Sequence, residues 1–341
     1  MRIFIYPTKD TTIYQRFPTN NAGLDEILEV GKVLESGDFD TAYTGSAARS
    51  LLYFTLPSTA SVSTASAYYL NLKIAYAENL TKPQTLEVVP ISSSWEEGTG
   101  YFYQTPNNEN TGATWRQTDT HVSWSSAGGD LNATTTQSVQ LTTYPLTDIR
   151  LNVTTIFQSL VNSGSAYNGI AIKFPSSDEQ NRYNKGVVRL FSSQTHTIHK
   201  PYLEVAWDEA DYSTGSFSPL PSSGYTVAAK NLLPEYYMGE VVRVDLVARD
   251  KFPNRTFEST LRYKNKYYLP TSSYYSVRDV QANVTVIPFD EYSRLEADAT
   301  GPYFVMDTTQ LQQGRYYTVQ FKIETGSRVS IVPTNLNFKI V

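Results

Sequence analysis

The sequence predicts an all-β chain built from two β-sandwich domains: a jelly-roll-like sandwich with one short helix, followed by an immunoglobulin-like sandwich. Three observations lead to this fold class. Apolar residues recur at every second position over many short runs; clusters of Gly, Pro, Asn and Ser separate those runs; and Tyr is abundant, with 26 residues against 15 Phe and 4 Trp. Half-buried strands alternate in this way, and their turns use those small polar residues. Many short strands of this kind are typical of sandwiches and jelly rolls.

The first domain is predicted over residues 1–207. Its longest alternating run carries apolar residues at every even position from Tyr68 to Tyr76, and we interpret it as one strand with Leu70, Leu72 and Ile74 on its inner face. Shorter runs repeat the pattern at Leu52, Phe54, Leu56; Leu86, Val88; Ile170, Ile172, Phe174; and Leu203, Val205, Trp207.

One stretch of the first domain has the spacing of a helix. Its apolar residues fall at i, i+3, i+4, i+7 and i+8, which is the stripe of an amphipathic helix; they are Val153, Ile156, Phe157, Leu160 and Val161. Asn152 is suited to cap the helix and Gly164 to end it. We therefore predict one helix of about three turns across an end of the first sandwich.

The segment 208–224 is small and polar and contains two prolines, which is the composition of a linker. Alternation resumes beyond it, and we predict an immunoglobulin-like sandwich over residues 225–341. Its apolar runs are Val242, Val244, Leu246; Val284, Val286; Tyr317, Val319, Phe321, Ile323; and Val329, Ile331.

Composition excludes several classes of function. The 341 residues carry 28 Lys and Arg against 33 Asp and Glu, a net charge of −5, which lacks the basic patch that nucleic-acid binding requires. The chain has no cysteine, so disulfides and thiol catalysis are absent. No apolar run approaches the ~20 residues of a membrane helix. Pro7 interrupts the start before the apolar region of a signal peptide could form, so we expect synthesis without export.

Four groups of segments in the first domain, in order, resemble the DNRLRE-type β-sandwich family of bacterial surface and secreted proteins. They read DTTI at 10–13 with PTNNAG at 18–23; ARSLLYF at 48–54 with SAYYL at 66–70; WEEG at 95–98, GATW at 112–115, Trp124 and GGD at 128–130; and LNVT at 151–154, NGI at 168–170 and PYLEV at 201–205. The resemblance covers about residues 1–207 and implies a sandwich fold similar to that of carbohydrate-binding modules.

A β-sandwich that resembles those of surface proteins, but lacks cysteine and an export signal, is typical of phage virion proteins, which are made in the bacterial cytoplasm. The second domain, with segments 249–253 and 314–317, looks like the accessory domains of tail, neck or baseplate proteins. We therefore expect a non-enzymatic structural component of a phage virion (tail, neck, baseplate or fibre-associated). Its partners would be other virion proteins and copies of itself, with no nucleic acid and no membrane. The alternative is a carbohydrate-binding or adhesin module that recognises a cell-surface glycan.

No residue pattern predicts a catalytic, cofactor or metal site. Glu96 and Glu97 are neighbours, and neighbouring residues on a strand point to opposite faces, so they cannot flank a sugar as the acid and base of a glycosidase do. His196 and His199 would likewise diverge, with no third ligand nearby. Calcium binding remains an alternative at the loops 38–40 and 107–110, because this ion binds carboxylate and carbonyl oxygens. The sequence has no nucleophile elbow, phosphate loop or dinucleotide fingerprint.

Two aromatic groups remain as candidate binding surfaces. For Trp95, Trp115 and Trp124 we expect that two of them close the ends of the sandwich, because tryptophan buries a large area; the alternative is that the rings are exposed and stack on sugar rings. The segment 263–275 could form an assembly interface through Tyr267, Tyr268, Tyr274 and Tyr275, since interface cores favour tyrosine. The alternative for these tyrosines is a hairpin that half-buries them on its own sheet.

Overall fold

A computed structural model of the chain describes residues 2–32, 46–56, 67–80, 82–103, 111–142, 146–163, 167–181, 183–208, 210–252, 266–326 and 328–341. The fold is all-β, as predicted, and the strands form two sandwich units. One unit comprises residues 4–205, and the other comprises residues 206–341 together with Arg2 and Ile3. Within the described ranges, no helix has the length and apolar character needed to cross a membrane.

The first sandwich is built on two main sheets. Its strands are β1 (Arg2–Ile5), β2 (Pro7–Tyr14), β3 (Ile27–Lys32), β4 (Ala47–Phe54), β5 (Ala67–Leu72), β6 (Ile74–Glu78), β7 (Gln84–Pro90), β8 (Gln117–Asp119), β9 (Val122–Ser123), β10 (Gln137–Leu141), β11 (Ile149–Asn152), β12 (Ile170–Lys173), β13 (Gly186–Phe191) and β14 (Tyr202–Ala206). The smaller sheet has the order β1-β14-β5-β11, and the larger has the order β10-β7-β12-β4-β3-β13-β6, with β2 also paired to β4. The strands β8 and β9 form a separate hairpin.

The longest alternating run proves to be two strands, so the prediction of one continuous strand is wrong at Lys73. β5 pairs with β11 in the smaller sheet, whereas β6 pairs with β13 in the larger one. Asp148 accepts the backbone N–H of Ile74 at 3.2 Å and forms an ion pair with the Lys73 amine at 2.7 Å, which fixes the crossing. Leu70 and Leu72 are buried as predicted, but Ile74 is only half-buried.

The predicted helix is confirmed as α1 (Thr154–Ser163), and a second, short helix, α2, spans Ser176–Gln180. The Asn152 side chain accepts the N–H of Thr154 at 3.0 Å, which is the expected cap. Phe157 stacks on Tyr68 of β5 with ring centroids 5.1 Å apart, so the apolar stripe anchors α1 to the smaller sheet. Gly164, the predicted end, lies outside the described residues.

The second sandwich packs two sheets around a core that includes Val244, Leu246, Phe304, Val319 and Phe321. Its strands are β15 (Ser218–Pro219), β16 (Tyr225–Ala229), β17 (Glu235–Tyr236), β18 (Val241–Asp250), β19 (Lys266–Tyr268), β20 (Ser273–Asp279), β21 (Val284–Ile287), β22 (Glu296–Asp298), β23 (Gly301–Asp307), β24 (Tyr316–Thr325) and β25 (Arg328–Ile340). One sheet has the order β15-β19-β18-β23-β22, with β16 also paired to β18. The other has the order β17-β25-β24-β20-β21.

The segment predicted as a linker, 208–224, is packed on the second unit over much of its length. The Tyr212 hydroxyl donates to the carbonyl of Leu269, and the N–H of Ser213 donates to the carbonyl of Ala297 at 2.7 Å. Leu220 is buried in the core of that unit. The polar composition predicted a linker with few contacts, but these backbone and hydroxyl hydrogen bonds attach the segment to the second sandwich.

Candidate functional site

Three tryptophans of the first unit lie in segments that carry the family resemblance, and they pack together. Trp95, Trp115 and Trp124 are all buried and belong to one apolar cluster with residues of β2 and β4. The Trp95 indole donates to the carbonyl of Asn168 at 2.8 Å, and the Trp124 indole donates to the carbonyl of Thr114 at 2.8 Å. The three rings are packed in the core, which is the expectation from the sequence. The alternative, a glycan platform formed by Trp95, Trp115 and Trp124, is wrong, because buried rings cannot stack on a sugar.

Arg49 of β4 holds this tryptophan cluster against α2. Its guanidinium lies 4.8 Å from the Trp115 ring, donates to the carbonyl of Gly128 at 2.6 Å, and binds both carboxylate oxygens of Glu179 at 2.9 and 2.6 Å. The buried amine of Lys173 lies 3.8 Å from the same carboxylate. Such a fork-shaped pair is among the strongest polar contacts in a protein. The arrangement joins four chain segments and leaves no open face for a ligand on Arg49.

Asn21 plays a similar structural part on the opposite side of the cluster. Its fully buried amide donates to the carbonyls of Glu97 and Ala113 at 2.7 and 2.8 Å and accepts the N–H of Gly100 at 2.8 Å. Gly98 adopts a positive φ of 82°, and a Cβ there would lie 1.9 Å from the carbonyl oxygen of Thr111. The motif residues around Trp95 are thus required by close backbone packing.

Asp10 and Glu97 are neighbouring acidic residues in the folded chain, although they are distant in sequence. Glu96 is exposed and pairs with Lys9 at 2.8 Å, whereas Glu97 is half-buried and accepts the backbone N–H of Asp10 at 2.9 Å. Burial, with the Glu97 charge adding to it, raises the pKa of Asp10 to about 7. Burial also raises the pKa of Glu97.

The histidines provide no metal site in the described part of the chain. His196 is exposed and lies 3.5 Å from Glu26, whereas the His199 ring packs against Phe191. No group of three or more His, Asp or Glu side chains in the described ranges is placed to hold an ion. The loops 38–40 and 107–110 lie outside the described residues.

The four tyrosines of the predicted assembly interface differ in their surroundings. Tyr275 faces the core of the second unit, stacks on Phe304 at 4.6 Å and donates to the carbonyl of Val305, so it cannot contact a partner. Tyr267 donates to Asp250 at 2.7 Å, Tyr268 packs edge-on against Tyr212, and the Lys322 amine lies over the Tyr274 ring. Those three are half-buried, and Tyr263 lies outside the described residues.

A small cavity in the second unit has a polar lining. It measures about 80 Å³ and is lined by Asp208, Ala210, Tyr275, Glu291, Tyr292, Arg294, Glu296 and Val305. Arg294 binds Asp208 at 3.2 Å across it. Pockets for organic ligands measure about 300 to 1,000 Å³, so this cavity has room for water and not for a sugar.

The second unit exposes apolar side chains along the segment 233–241, which we call the 233–241 surface. Leu233, Tyr237, Met238 and Val241 are 55%, 68%, 54% and 62% exposed. The backbone beneath them is held in place: the Glu240 carboxylate accepts the N–H of Tyr237 at 3.1 Å, and the Thr308 hydroxyl donates to the carbonyl of Tyr237 at 2.8 Å. Large apolar side chains concentrated on a fixed backbone are typical of a protein-binding surface.

No family model and no curated protein matches this sequence. Among solved structures, the chain is similar to a DUF4785 family protein from Legionella pneumophila, at 7% sequence identity and a TM-score of 0.20. The match covers 100% of this chain and 61% of that one, so the chain spans less than two thirds of the length of that protein. A TM-score this low does not establish a shared fold.

Proposed function

We propose that the protein is a non-enzymatic structural component of a bacteriophage virion and that it acts by assembly with other virion proteins and with copies of itself. The 233–241 surface carries the assembly part of this proposal, because four large apolar side chains within nine residues are more than half exposed. The virion context rests on the sequence resemblance and on the composition of the chain. The buried tryptophans remove the support for glycan binding as the main activity.

The exposed side chains match the chemistry of an interface. Interface cores favour Tyr, Met and other apolar side chains, and the charged groups Glu235 and Glu240 lie between the apolar ones on this segment. Covering such a patch removes apolar area from water at about 25 cal/mol per Å². Because the backbone is already fixed by Glu240 and Thr308, binding would cost little additional ordering.

The test begins with purified phage particles, in which mass spectrometry should detect the protein. Val241→Ser and Tyr237→Ser should then reduce its incorporation into particles in a complementation assay by tenfold or more, on the order of a single interface hot spot. Val122→Ser is the matched control, since Val122 is 54% exposed on the first unit and should leave incorporation unchanged. Absence of the protein from particles, or a particle structure with the 233–241 surface in solvent in every copy, would overturn the proposal.

A further inference from the structure

Asp10 is a carboxyl group almost completely enclosed by protein, with 1% of its surface exposed. Its Oδ2 accepts the backbone N–H of Ser193 at 2.6 Å, but its Oδ1 forms no hydrogen bond. No Lys or Arg in the described ranges forms an ion pair with Asp10. Burial disfavours the ionised form of Asp10, and hydrogen bonds from the Ser193 backbone and side chain offset only part of this effect.

The second carboxyl group lies beside it on the turn 95–98. Glu97 Oε1 accepts the backbone N–H of Asp10 at 2.9 Å, and Gln194 also donates to Glu97. Asp10 is held inside a paired strand and by Ser193, whereas Glu97 is half-buried on a turn. If both groups carry a charge, Glu97 is the one with a short path to water.

The positively charged groups near Asp10 and Glu97 do not neutralise both carboxylates. Lys9, on the same strand, is engaged by Glu96 and by the carbonyl of Trp95. Lys200 lowers the pKa of Asp10 only as the weakest of several influences. On the segment that carries Ser193, His196 faces Glu26 and His199 faces Phe191. The paired strand β4 places Leu52 opposite Asp10.

We propose that Asp10 and Glu97 are a proton-binding latch: together they hold one proton, and its loss to solvent breaks the hydrogen bond between the Asp10 N–H and the Glu97 carboxylate. On release of the proton, both carboxyl groups are charged, and Glu97 turns away from β2. The Ser193 N–H bond does not weaken in this step, because its acceptor becomes more negative. Acid therefore closes the contact between β2 and the 95–98 turn, and alkali opens it.

Amide hydrogen exchange of the full-length chain, read by NMR and corrected for the intrinsic pH dependence of exchange, tests the latch. The protection factor of the residue 10 amide should fall by about tenfold or more between about pH 6 and pH 8. Protection of the Ser193 amide should stay constant or rise over the same range. Equal behaviour of the two amides, or no change at residue 10, would overturn the proposal.

Three variants separate this latch from other titrating groups. Glu97→Gln keeps an acceptor for the amide but removes the second charge, so protection of the residue 10 amide should no longer fall as the pH rises. Asp10→Asn should abolish the transition. Asp25→Asn is the control, because burial raises the pKa of Asp25 to about 6 while its carboxylate contacts Phe102 instead. A transition that persists in Asp10→Asn, disappears in Asp25→Asn, or shifts on addition of calcium or EDTA would contradict a proton site at Asp10.

Discussion

Replacement of Arg49 with methionine tests whether the motif residues of the first unit are structural. Methionine keeps the apolar stem of arginine, so the change removes mainly the guanidinium. That group makes two bonds to the Glu179 carboxylate and one to the Gly128 carbonyl, and it lies over the Trp115 ring. The variant would leave the buried Glu179 with Lys173, at 3.8 Å, as its remaining side-chain cation.

The expected loss follows from what is left behind. Removing one partner of a buried ion pair costs about 3 to 5 kcal/mol, because the other charge stays desolvated. The Gly128 carbonyl also loses its donor, which adds about 1 kcal/mol. Lys173 compensates part of the Glu179 charge, so we expect Arg49→Met to lower the free energy of unfolding of the first unit by about 3 to 5 kcal/mol.

Urea unfolding followed by tryptophan fluorescence measures this loss, because Trp95, Trp115 and Trp124 share one buried cluster and the Trp115 ring lies 4.8 Å from the Arg49 guanidinium. Arg243→Met is the matched control: its ion pairs are exposed on the second unit, and its loss should stay below about 1 kcal/mol. Adding Glu179→Gln to Arg49→Met should recover part of the stability. If Arg49→Met lowers the free energy of unfolding by less than about 1 kcal/mol, or if the double-mutant cycle shows no coupling energy, the ion pair between Arg49 and Glu179 does not stabilise the tryptophan cluster.

Three further changes test the packing and the buried acid. Leu72→Ala should destabilise the first unit by about 2 to 5 kcal/mol and Ile74→Ala by only about 1 kcal/mol in urea unfolding, because the chain leaves the buried strand between them; equal losses would contradict the crossing. Leu220→Ala should lower the free energy of unfolding of the second unit by about 2 kcal/mol in calorimetry, whereas a free linker residue would change it by less than ~0.5 kcal/mol. Burial raises the pKa of Asp10 from 3.8 to about 7, so the folded chain keeps a proton that the unfolded chain loses, and stability should fall by up to about 4 kcal/mol as the pH rises from about 4 to about 7. Asp10→Asn should remove that slope in urea titrations at successive pH values, and an unchanged slope would refute the assignment.

The sequence predicts the strands well because burial on one face imposes a period of two. β24 follows that pattern, with buried residues at alternate positions, and the same argument with a different period locates α1 and its Asn152 cap. The period does not say which face is buried or where a strand leaves its sheet. Val329 and Ile331 alternate correctly, yet both lie on the exposed face of β25.

The polar network of the first unit could not be predicted, because its members are distant in sequence. Arg49 and Glu179 are 130 residues apart, and Asn21 reaches carbonyls 76 and 92 residues away. Local pattern carries no information about such pairs. The tryptophans show the same limit: their spacing fits a platform or a core equally well, and only burial distinguishes the two.

Buried side chains that bind backbone atoms take the place of covalent cross-links in the first unit, whose chain contains no cysteine. Asn21, Arg49 and Asp130 each join or close loops around the tryptophan cluster; Asp130, for example, accepts from the Ser93 hydroxyl at 2.6 Å and from the Ser126 N–H at 2.7 Å. These polar groups are saturated by the fold, so they are unsuited to recognise a ligand. The 233–241 surface differs from these groups, because its large side chains are apolar and more than half exposed. A search for function in this protein should therefore begin with its exposed apolar groups and not with its motif residues.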